Sequence, residues 1–252
     1  MTTVFLLSPA YCGGRRASIL LNAKSQAVTA IEFRSGKMSL GRAFAFMSGL
    51  YFRGKLSYAE RFGEALVITP TRGLQPASLP FNLKMLREFA VGDVSLDNPE
   101  YRLALERDVK ALARRISADG QVVLLGSVAS GKYVDVLLPV LGDRLRYPLS
   151  FIGRGDMSRG GLLLRSAANG EELEYQALTA GVRPRGPRPP KLDPLTRVAV
   201  SLGNESHRHT RSPDHGIVEP ALRAGEDGSE GLGAVVNLRL RARPRVRSRA
   251  KS

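Results

Sequence analysis

The 252-residue sequence predicts an α/β fold, a mostly parallel open sheet of about five strands with helices on both faces, followed by a basic C-terminal tail. Short apolar runs such as 122–125 alternate with longer stretches of helical periodicity. This alternation is typical of βαβ units, whose strands pair in parallel and are covered on both sides. From residue 181, prolines and arginines replace the apolar periodicity, so we expect one domain over 1–180 and a disordered tail over 181–252.

The strands are predicted wherever a short apolar run ends in turn-forming residues. In chain order they span 3–7, 65–69, 122–125, 144–152 and 172–178. Pro148 weakens the fourth strand or places it at an edge, because proline has no N–H to donate to a neighbouring strand. The fifth strand alternates in character, which favours an edge position.

The helices are predicted from apolar residues that recur every three or four positions. They span 15–33, 39–47, 51–62, 83–89, 97–117 and 132–138, with a last helix beginning near 157. Ser39 is a suitable N-cap for the second helix, and Pro99 fits the first turn of the fifth. Pro139 ends or kinks the helix that follows the third strand.

The cysteine count, the positions of the histidines and the hydropathy of the sequence exclude several classes of site and of protein. Cys12 is the only cysteine, which rules out an intrachain disulfide and a multi-cysteine zinc site. The three histidines all lie beyond residue 200, so we expect no histidine-based catalysis, no metal and no cofactor in the α/β domain. The sequence has no apolar run of membrane-spanning length and no signal-peptide pattern at its start, so we expect a cytoplasmic protein without a membrane partner.

The charge distribution favours an anionic partner. The formal net charge is +15, and residues 183–252 carry 15 Lys/Arg against 7 Asp/Glu. Residues 1–182 carry 23 against 16, so the predicted domain is basic even without the tail. Nucleic acids and nucleotides are the partners that such a surface favours, although general solubility also explains the excess. The oligomeric state is not predicted.

The loops after the predicted strands share small residues and at least one fixed cation. Ligands of open parallel sheets bind beyond the carboxyl ends of the strands, where helix N-termini favour negative charge. A phosphate-binding pocket is therefore predicted there, although such turns are rich in glycine and serine in any case. Its candidate residues are Ser8, Arg15, Arg72, Gly126, Ser127, Lys132, Arg154, Ser158 and Arg159.

The loop 126–132 resembles the start of a nucleoside-triphosphate-binding P-loop. It has the spacing G-x-x-x-x-G-K between a strand and a helix. The next residue is Tyr133, where a P-loop has the Ser or Thr that holds magnesium, and no later strand ends in the aspartate of a magnesium site. Lys132 and Tyr133 are therefore also consistent with a different ligand or with a plain surface turn.

Asp156 and Tyr133 are the candidate catalytic residues. Asp156 is the only carboxylate in the strand-end turns, so it is a candidate acid or base, although it could instead cap the helix that follows. Cys12 lies near Arg15 and Arg16, which would lower a thiol pKa, but a buried bystander thiol is the alternative. Arg53 and Lys55 lie among aromatic residues that could stack bases or simply form core.

Several short segments together resemble the YaaA peroxide-stress family and related uncharacterised α/β domains. The segments are 5–10 (FLLSPA), 49–59 (GLYFRGKLSYA), 65–74 (ALVITPTRGL) and the pair Lys132-Tyr133 at the start of a helix. The resemblance implies an α/β fold, a basic cleft, DNA binding and a distant likeness to enzymes that handle nucleobases. The positions that it singles out are Ser8, Arg53, Arg72 and Lys132.

The sequence thus favours an α/β domain that binds a phosphate-bearing ligand, most plausibly a nucleic acid or a nucleotide, in a basic cleft at the carboxyl ends of the strands. The alternatives are an enzyme acting on a nucleotide or nucleobase by N-glycosyl transfer, a degenerate P-loop NTPase, and an interaction module without catalysis.

Overall fold

The computed structural model describes residues 2–129 and 131–181, and, of the basic segment that follows, residues 184, 186, 187, 189, 190 and 192. The tail predicted for 181–252 therefore lies largely outside the described residues, and Ser130 of the loop 126–131 lies outside them as well.

A six-stranded sheet organises the fold. Its strands, in chain order, are β1 (Thr3–Leu7), β2 (Glu64–Ile68), β3 (Leu74–Pro76), β4 (Gln121–Leu125), β5 (Leu145–Pro148) and β6 (Tyr175–Ala177). They lie side by side in the order β3-β2-β1-β4-β5-β6. The four inner strands are parallel, whereas β3 and β6 run antiparallel to their neighbours at the two edges.

Helices cover both faces of the sheet, as predicted. They are α1 (Arg15–Leu21), α2 (Val28–Arg34), α3 (Leu40–Ser48), α4 (Leu50–Phe62), α5 (Leu83–Val91), α6 (Pro99–Arg115), α7 (Gly131–Leu141) and α8 (Asp156–Asn169). Alternate residues of β1 point to opposite faces: Phe5 and Leu7 join the core beneath α1 to α5 and α8. Val4 and Leu6 join a second core beneath α6 and α7.

The sheet differs from the predicted one in the number and direction of its strands. The sheet is mixed rather than purely parallel, because both edge strands run antiparallel to their neighbours. The three-residue strand β3 was not predicted, since Pro76 and its short length give it no apolar run. The strand predicted for 144–152 is only Leu145–Pro148 and is internal, so the edge position suggested by Pro148 is wrong. Pro148 is tolerated because the parallel pairing with β4 involves only Leu145 and Arg146.

Two predicted helices also differ from the structure. The stretch 15–33 forms two short helices, α1 and α2, because the chain turns at Asn22, whose side chain accepts a hydrogen bond from the Lys24 N–H. Helix α7 continues through Pro139 to Leu141. Ser39 caps α3 as predicted, its hydroxyl accepting a bond from the Arg42 N–H, and Gly49 separates α3 from α4 with φ of 75°.

The closest helix pair positions the candidate site. A Cβ atom placed on Gly54 of α4 would lie 2.5 Å from the Gly160 carbonyl oxygen of α8. A Cβ atom on Gly160 would lie 2.8 Å from the Cα of Tyr51. The two helices therefore touch backbone to backbone, and their N-terminal halves lie at the carboxyl end of β1.

Candidate functional site

A fully buried lysine lies at the carboxyl end of β1. Lys55 of α4 is 1% exposed, and its Nζ lies 2.6 Å from the carbonyl oxygen and 2.9 Å from the Oγ of Ser8. The rings of Tyr51 and Phe52 lie 4.5 Å and 4.7 Å from Nζ. Ser8 follows β1 directly and is itself 8% exposed.

The surroundings of Lys55 make its neutral amine accessible near neutral pH. Burial lowers the pKa of Lys55 from its ordinary 10.5 to about 7, because the charged form loses its hydration, while the charge of Asp156 acts in the opposite direction. Within the described part of the chain, its hydrogen bonds go only to the two uncharged oxygens of Ser8. In the structure the amine donates to both Ser8 oxygens, and the Ser8 hydroxyl donates to the Leu125 carbonyl at 3.4 Å. A neutral amine can instead accept the Ser8 hydroxyl proton through its lone pair when that hydroxyl turns away from Leu125.

Two tyrosines complete the walls around Ser8 and Lys55. Tyr133 of α7 is 4% exposed, and burial raises its pKa, while the Ser8 side chain lowers it slightly. Tyr51 is 9% exposed, and burial raises its pKa to about 12, with the nearby Arg159 guanidinium acting against that rise. Both phenols are therefore protonated at neutral pH and can serve as hydrogen-bond donors. The Tyr51 hydroxyl is buried and finds no acceptor among the described residues.

Two arginines of the loop and helix after β5 are bound mainly to uncharged oxygens, and the guanidinium of Arg159 lies near Tyr51. Arg159 donates twice to the Phe151 carbonyl, at 3.1 Å and 3.3 Å, and its guanidinium lies 5.2 Å from the Phe151 ring. Arg154 donates to the carbonyl of Ser150 and to the hydroxyl of Ser158. Carbonyls and hydroxyls orient these guanidinium groups; among the described residues Arg154 has no carboxylate partner, and Arg159 has only a 3.9 Å contact with the exposed Asp156.

Asp156 supplies the negative charge of the region. It is the first residue of α8, and its carboxylate lies 3.9 Å from an Arg159 nitrogen while its side chain is 72% exposed. The N-cap of α8 is Gly155, so the capping role suggested for Asp156 is not seen. Its charge nevertheless influences the pKa values of Tyr51, Lys55 and Tyr133. It is therefore near the cluster but faces solvent.

The loop after β4 forms part of the same edge. The Ser8 N–H donates to the Leu125 carbonyl at 3.3 Å, so the ends of β1 and β4 are adjacent. Gly126 is buried against Ser8, and a Cβ atom there would lie 3.3 Å from the Ser8 Oγ. Ser127 is partly exposed in the loop, and Lys132 is exposed with its Nζ 5.2 Å from the Tyr133 ring.

Three other predicted residues stand apart from this cluster in their contacts. Arg72 is paired with Glu88 through bonds of 2.8 Å and 2.6 Å, so its charge is compensated. Arg15 is exposed on α1, where it borders a surface depression of about 440 Å³ together with Arg16, Ser18 and Ile19. Arg53 is exposed on α4. A second depression of about 330 Å³ is lined by Val134, Asp135, Leu138, Pro139, Ala180 and Gly181. Neither depression is lined by Ser8 or Lys55.

Cys12 is a buried bystander in the described structure. It is 2% exposed, and burial raises the pKa of its thiol to about 12, so no thiolate forms near neutral pH. The lowering of its pKa by Arg15 and Arg16, considered above, is not observed, because both guanidinium groups are on exposed residues while the sulfur packs in the core.

Sequence reasoning noted Lys55 only as a neighbour of aromatic residues and did not place it in the site. The available signal is spacing: Lys55 lies four residues after Tyr51 and three before Tyr58, which puts it on the buried face of α4. A lysine on an apolar helix face must find a polar partner or lose its charge. Ser8 is that partner.

The described residues include no group of three or more His, Cys, Asp or Glu side chains placed to hold a metal ion. None of the described helices is long and apolar enough to cross a membrane. Comparison with protein-family models, curated proteins and solved structures gives no match to this chain.

Proposed function

We propose that the protein binds a phosphate-bearing ligand, a nucleotide or a nucleic acid, at the carboxyl ends of β1, β4 and β5. The observation that carries the proposal is the pair Arg154 and Arg159, whose guanidinium groups are held in place chiefly by uncharged oxygens. Arg154 has no carboxylate partner among the described residues and Arg159 has only the 3.9 Å contact with the exposed Asp156, so both groups are suited to phosphate oxygens, which accept two parallel N–H bonds.

Two neighbouring features support a ligand at this position. The Tyr51 hydroxyl is buried and finds no acceptor in the described part of the chain, which is costly unless a further group completes its hydrogen bond. Tyr133 is protonated and is a second donor. A phosphate beside Arg159 would supply acceptor oxygens for such donors. Arg72, by contrast, is already satisfied by Glu88 and contributes no free charge.

The test is a set of binding titrations with AMP, ATP, and single-stranded and duplex oligonucleotides, each at about 50 and 200 mM salt. Arg154→Gln should weaken binding roughly tenfold or more, because a charge-assisted bond to phosphate contributes about 1.5–3 kcal/mol. Arg87→Gln, which removes an exposed arginine of α5, is the matched control and should change affinity little. A preference for the oligonucleotides over the mononucleotides would identify nucleic acid as the ligand.

The proposal is wrong if none of the four ligands binds at the lower salt concentration, or if Arg154→Gln and Arg87→Gln weaken binding equally. In the second case the affinity would come from general positive charge rather than from a site at the ends of β1, β4 and β5.

A further inference from the structure

The pair Ser8 and Lys55 has the geometry of a nucleophile and its base. The hydroxyl and the amine are 2.9 Å apart, which is a direct hydrogen bond. The Nζ atom of Lys55 is hydrogen-bonded to two atoms of one residue, the carbonyl oxygen and the hydroxyl of Ser8. The carbonyl accepts one amine hydrogen, which leaves the lone pair of a neutral amine able to face the Ser8 hydroxyl when that hydroxyl turns from the Leu125 carbonyl, 3.4 Å away.

The environment keeps Lys55 available as a base. Its side chain is enclosed by the Tyr51 and Phe52 rings and has no carboxylate partner within the described residues. Catalytic lysine bases depend on such dry surroundings, since an amine that is protonated at working pH cannot accept a proton. A purely structural lysine would instead be expected to hold its charge against a buried acid.

On the side of the β4 loop, Ser8 packs against a glycine rather than against a larger side chain. Gly126 lies against it, and even a methyl group there would come within 3.3 Å of Oγ. Ser8 retains 8% exposure, whereas Lys55 behind it retains 1%. Ser8 therefore keeps slightly more contact with solvent than Lys55, which is the order expected for a nucleophile and its covered base.

We propose that Ser8 is the nucleophile and Lys55 the general base of an acyl-transfer or hydrolytic reaction on a carboxylic ester or amide. The Ser8 Oγ forms a bond to the carbonyl carbon while its proton passes to the neutral Lys55 amine. The tetrahedral adduct then breaks the carbon bond to the leaving alcohol or amine, which takes the proton from the Lys55 ammonium. Water next attacks the acyl-serine, giving a proton to Lys55, and release of the carboxylic acid returns a proton from Lys55 to Ser8.

The chemistry rests on Ser8 and Lys55 alone and extends the proposed function, whose phosphate site at Arg154 and Arg159 would hold an anionic part of the substrate. The two proposals fail separately. Reaction at Ser8 without any nucleotide or nucleic-acid affinity would leave the acyl-transfer proposal standing, and binding without reaction at Ser8 would leave only the binding proposal.

The experiment treats the full chain with a fluorophosphonate label and with 4-nitrophenyl acetate, and locates the adducts by peptide mass spectrometry. The expected adduct is on Ser8. Ser8→Ala should abolish it, and Lys55→Met should slow labelling by roughly 10²- to 10⁴-fold, the usual contribution of a general base. Ser18→Ala, which removes an exposed hydroxyl of α1, should react as the unchanged protein does.

A pH profile of the unchanged protein tests the role of Lys55 without any substitution. The labelling rate should rise with pH and level off above about 7, as the amine loses its proton. If Lys55 were only a structural link, the rate would climb with hydroxide concentration without reaching a plateau. Three results would each overturn the proposal: a labelling rate without a plateau, an adduct on Lys55 rather than on Ser8, or no adduct on Ser8.

Discussion

Lys55 is the residue whose surroundings depart most from those that its side chain ordinarily requires. A lysine is rarely fully buried without a carboxylate, because the loss of hydration costs several kcal/mol for the charged form. Here the amine is 1% exposed and bonds only to the uncharged oxygens of Ser8 within the described residues. When the amine is charged, its attraction to the Tyr51 and Phe52 rings compensates for part of the lost hydration free energy.

The stability of the protein should therefore rise with pH above neutrality. The folded pKa of Lys55 is about 7 and its ordinary value is 10.5, so between these values the unfolded chain binds a proton that the folded protein does not. The free energy of unfolding should increase between pH 7 and about 9, by an amount on the order of a few kcal/mol if Lys55 acts alone. Below pH 7 both states are protonated, and this term should no longer change with pH.

Chemical denaturation at several pH values measures this effect. In Lys55→Met the increase between pH 7 and 9 should disappear, whereas Lys37→Met, at an exposed lysine, should keep it. The raised pKa of Cys12 opposes this increase near pH 9, where the unfolded thiol ionises, and the raised tyrosine pKa values lower stability from about pH 10 in both proteins alike. Parallel stability curves for the unchanged protein and Lys55→Met would contradict a lowered pKa for Lys55.

Lys55 also shows the limit of predicting a site from the residues that follow the strands. The motif-like loops drew attention to Lys132 and Arg72, both of which follow strands. The structure leaves Lys132 exposed and pairs Arg72 with Glu88. The pairing of Arg72 is not visible in the local sequence, because Glu88 lies 16 residues away. Ser8, Tyr133 and Arg159 were candidates because each follows a buried strand and parallel strands end at a common edge, and the structure places Ser8 and Tyr133 beside each other and Arg159 near Tyr51.

At the scale of elements, the site depends on the contact between α4 and α8. Helix α4 carries Tyr51 and Lys55, and α8 carries Asp156 and Arg159. Gly54 and Gly160 let the helices approach closely enough for these side chains to share one cluster. A helix ordinarily loses about 1 kcal/mol by having glycine in place of alanine, so these two positions are stabilised by packing rather than by helix propensity.

Gly160→Ala should destabilise the protein and disturb the site together. Its new methyl group would meet the Tyr51 Cα at 2.8 Å and the Leu50 carbonyl oxygen at 2.9 Å, which are backbone atoms that cannot rotate away. We expect a loss of about 1–3 kcal/mol in the free energy of unfolding, as for other overpacked positions, and weaker binding at Arg159.

The neighbouring glycine provides a matched control. A Cβ atom on Gly161 would meet only the Leu192 side chain, at 3.9 Å, so Gly161→Ala should be neutral or slightly stabilising through its better helix propensity. Thermal and denaturant unfolding of both variants would measure the difference. Equal effects of the two substitutions would mean that the close approach of α4 and α8 does not constrain the protein.

The elements themselves were predictable where a pattern is long or strongly apolar. Strands β1 and β4 follow from their continuous apolar runs, and α6 follows from Asn98, Pro99 and an apolar residue in nearly every turn. The antiparallel edge strand β3 was missed because three residues with a proline carry no period. The continuation of α7 past Pro139 was missed because local rules place a helix end there, whereas packing of Leu141 in the core extends the helix.

At the scale of the whole molecule, removal of the basic C-terminal segment distinguishes binding at a site in the α/β domain from general attraction to the positive charge of that segment. A chain ending at Ala180 retains every described helix and strand. It also loses the contact in which Arg154 donates to the Pro190 carbonyl at 3.4 Å, which frees one guanidinium donor. Residues 183–252, which it lacks, contribute 15 Lys/Arg against 7 Asp/Glu.

We therefore expect the shortened chain to bind mononucleotides as tightly as the full chain or more tightly, because Arg154 and Arg159 keep their bonds to Ser150, Ser158 and Phe151. Duplex DNA should bind the shortened chain more weakly, and its affinity should fall less steeply with salt, since the slope scales with the number of phosphates contacted, by about 0.9 for each. Titrations of both chains across salt, with circular dichroism to confirm folding, measure these quantities. If the shortened chain folds but loses all affinity, the binding belongs to residues 181–252, and the protein is an interaction module in which the strand ends bind no phosphate.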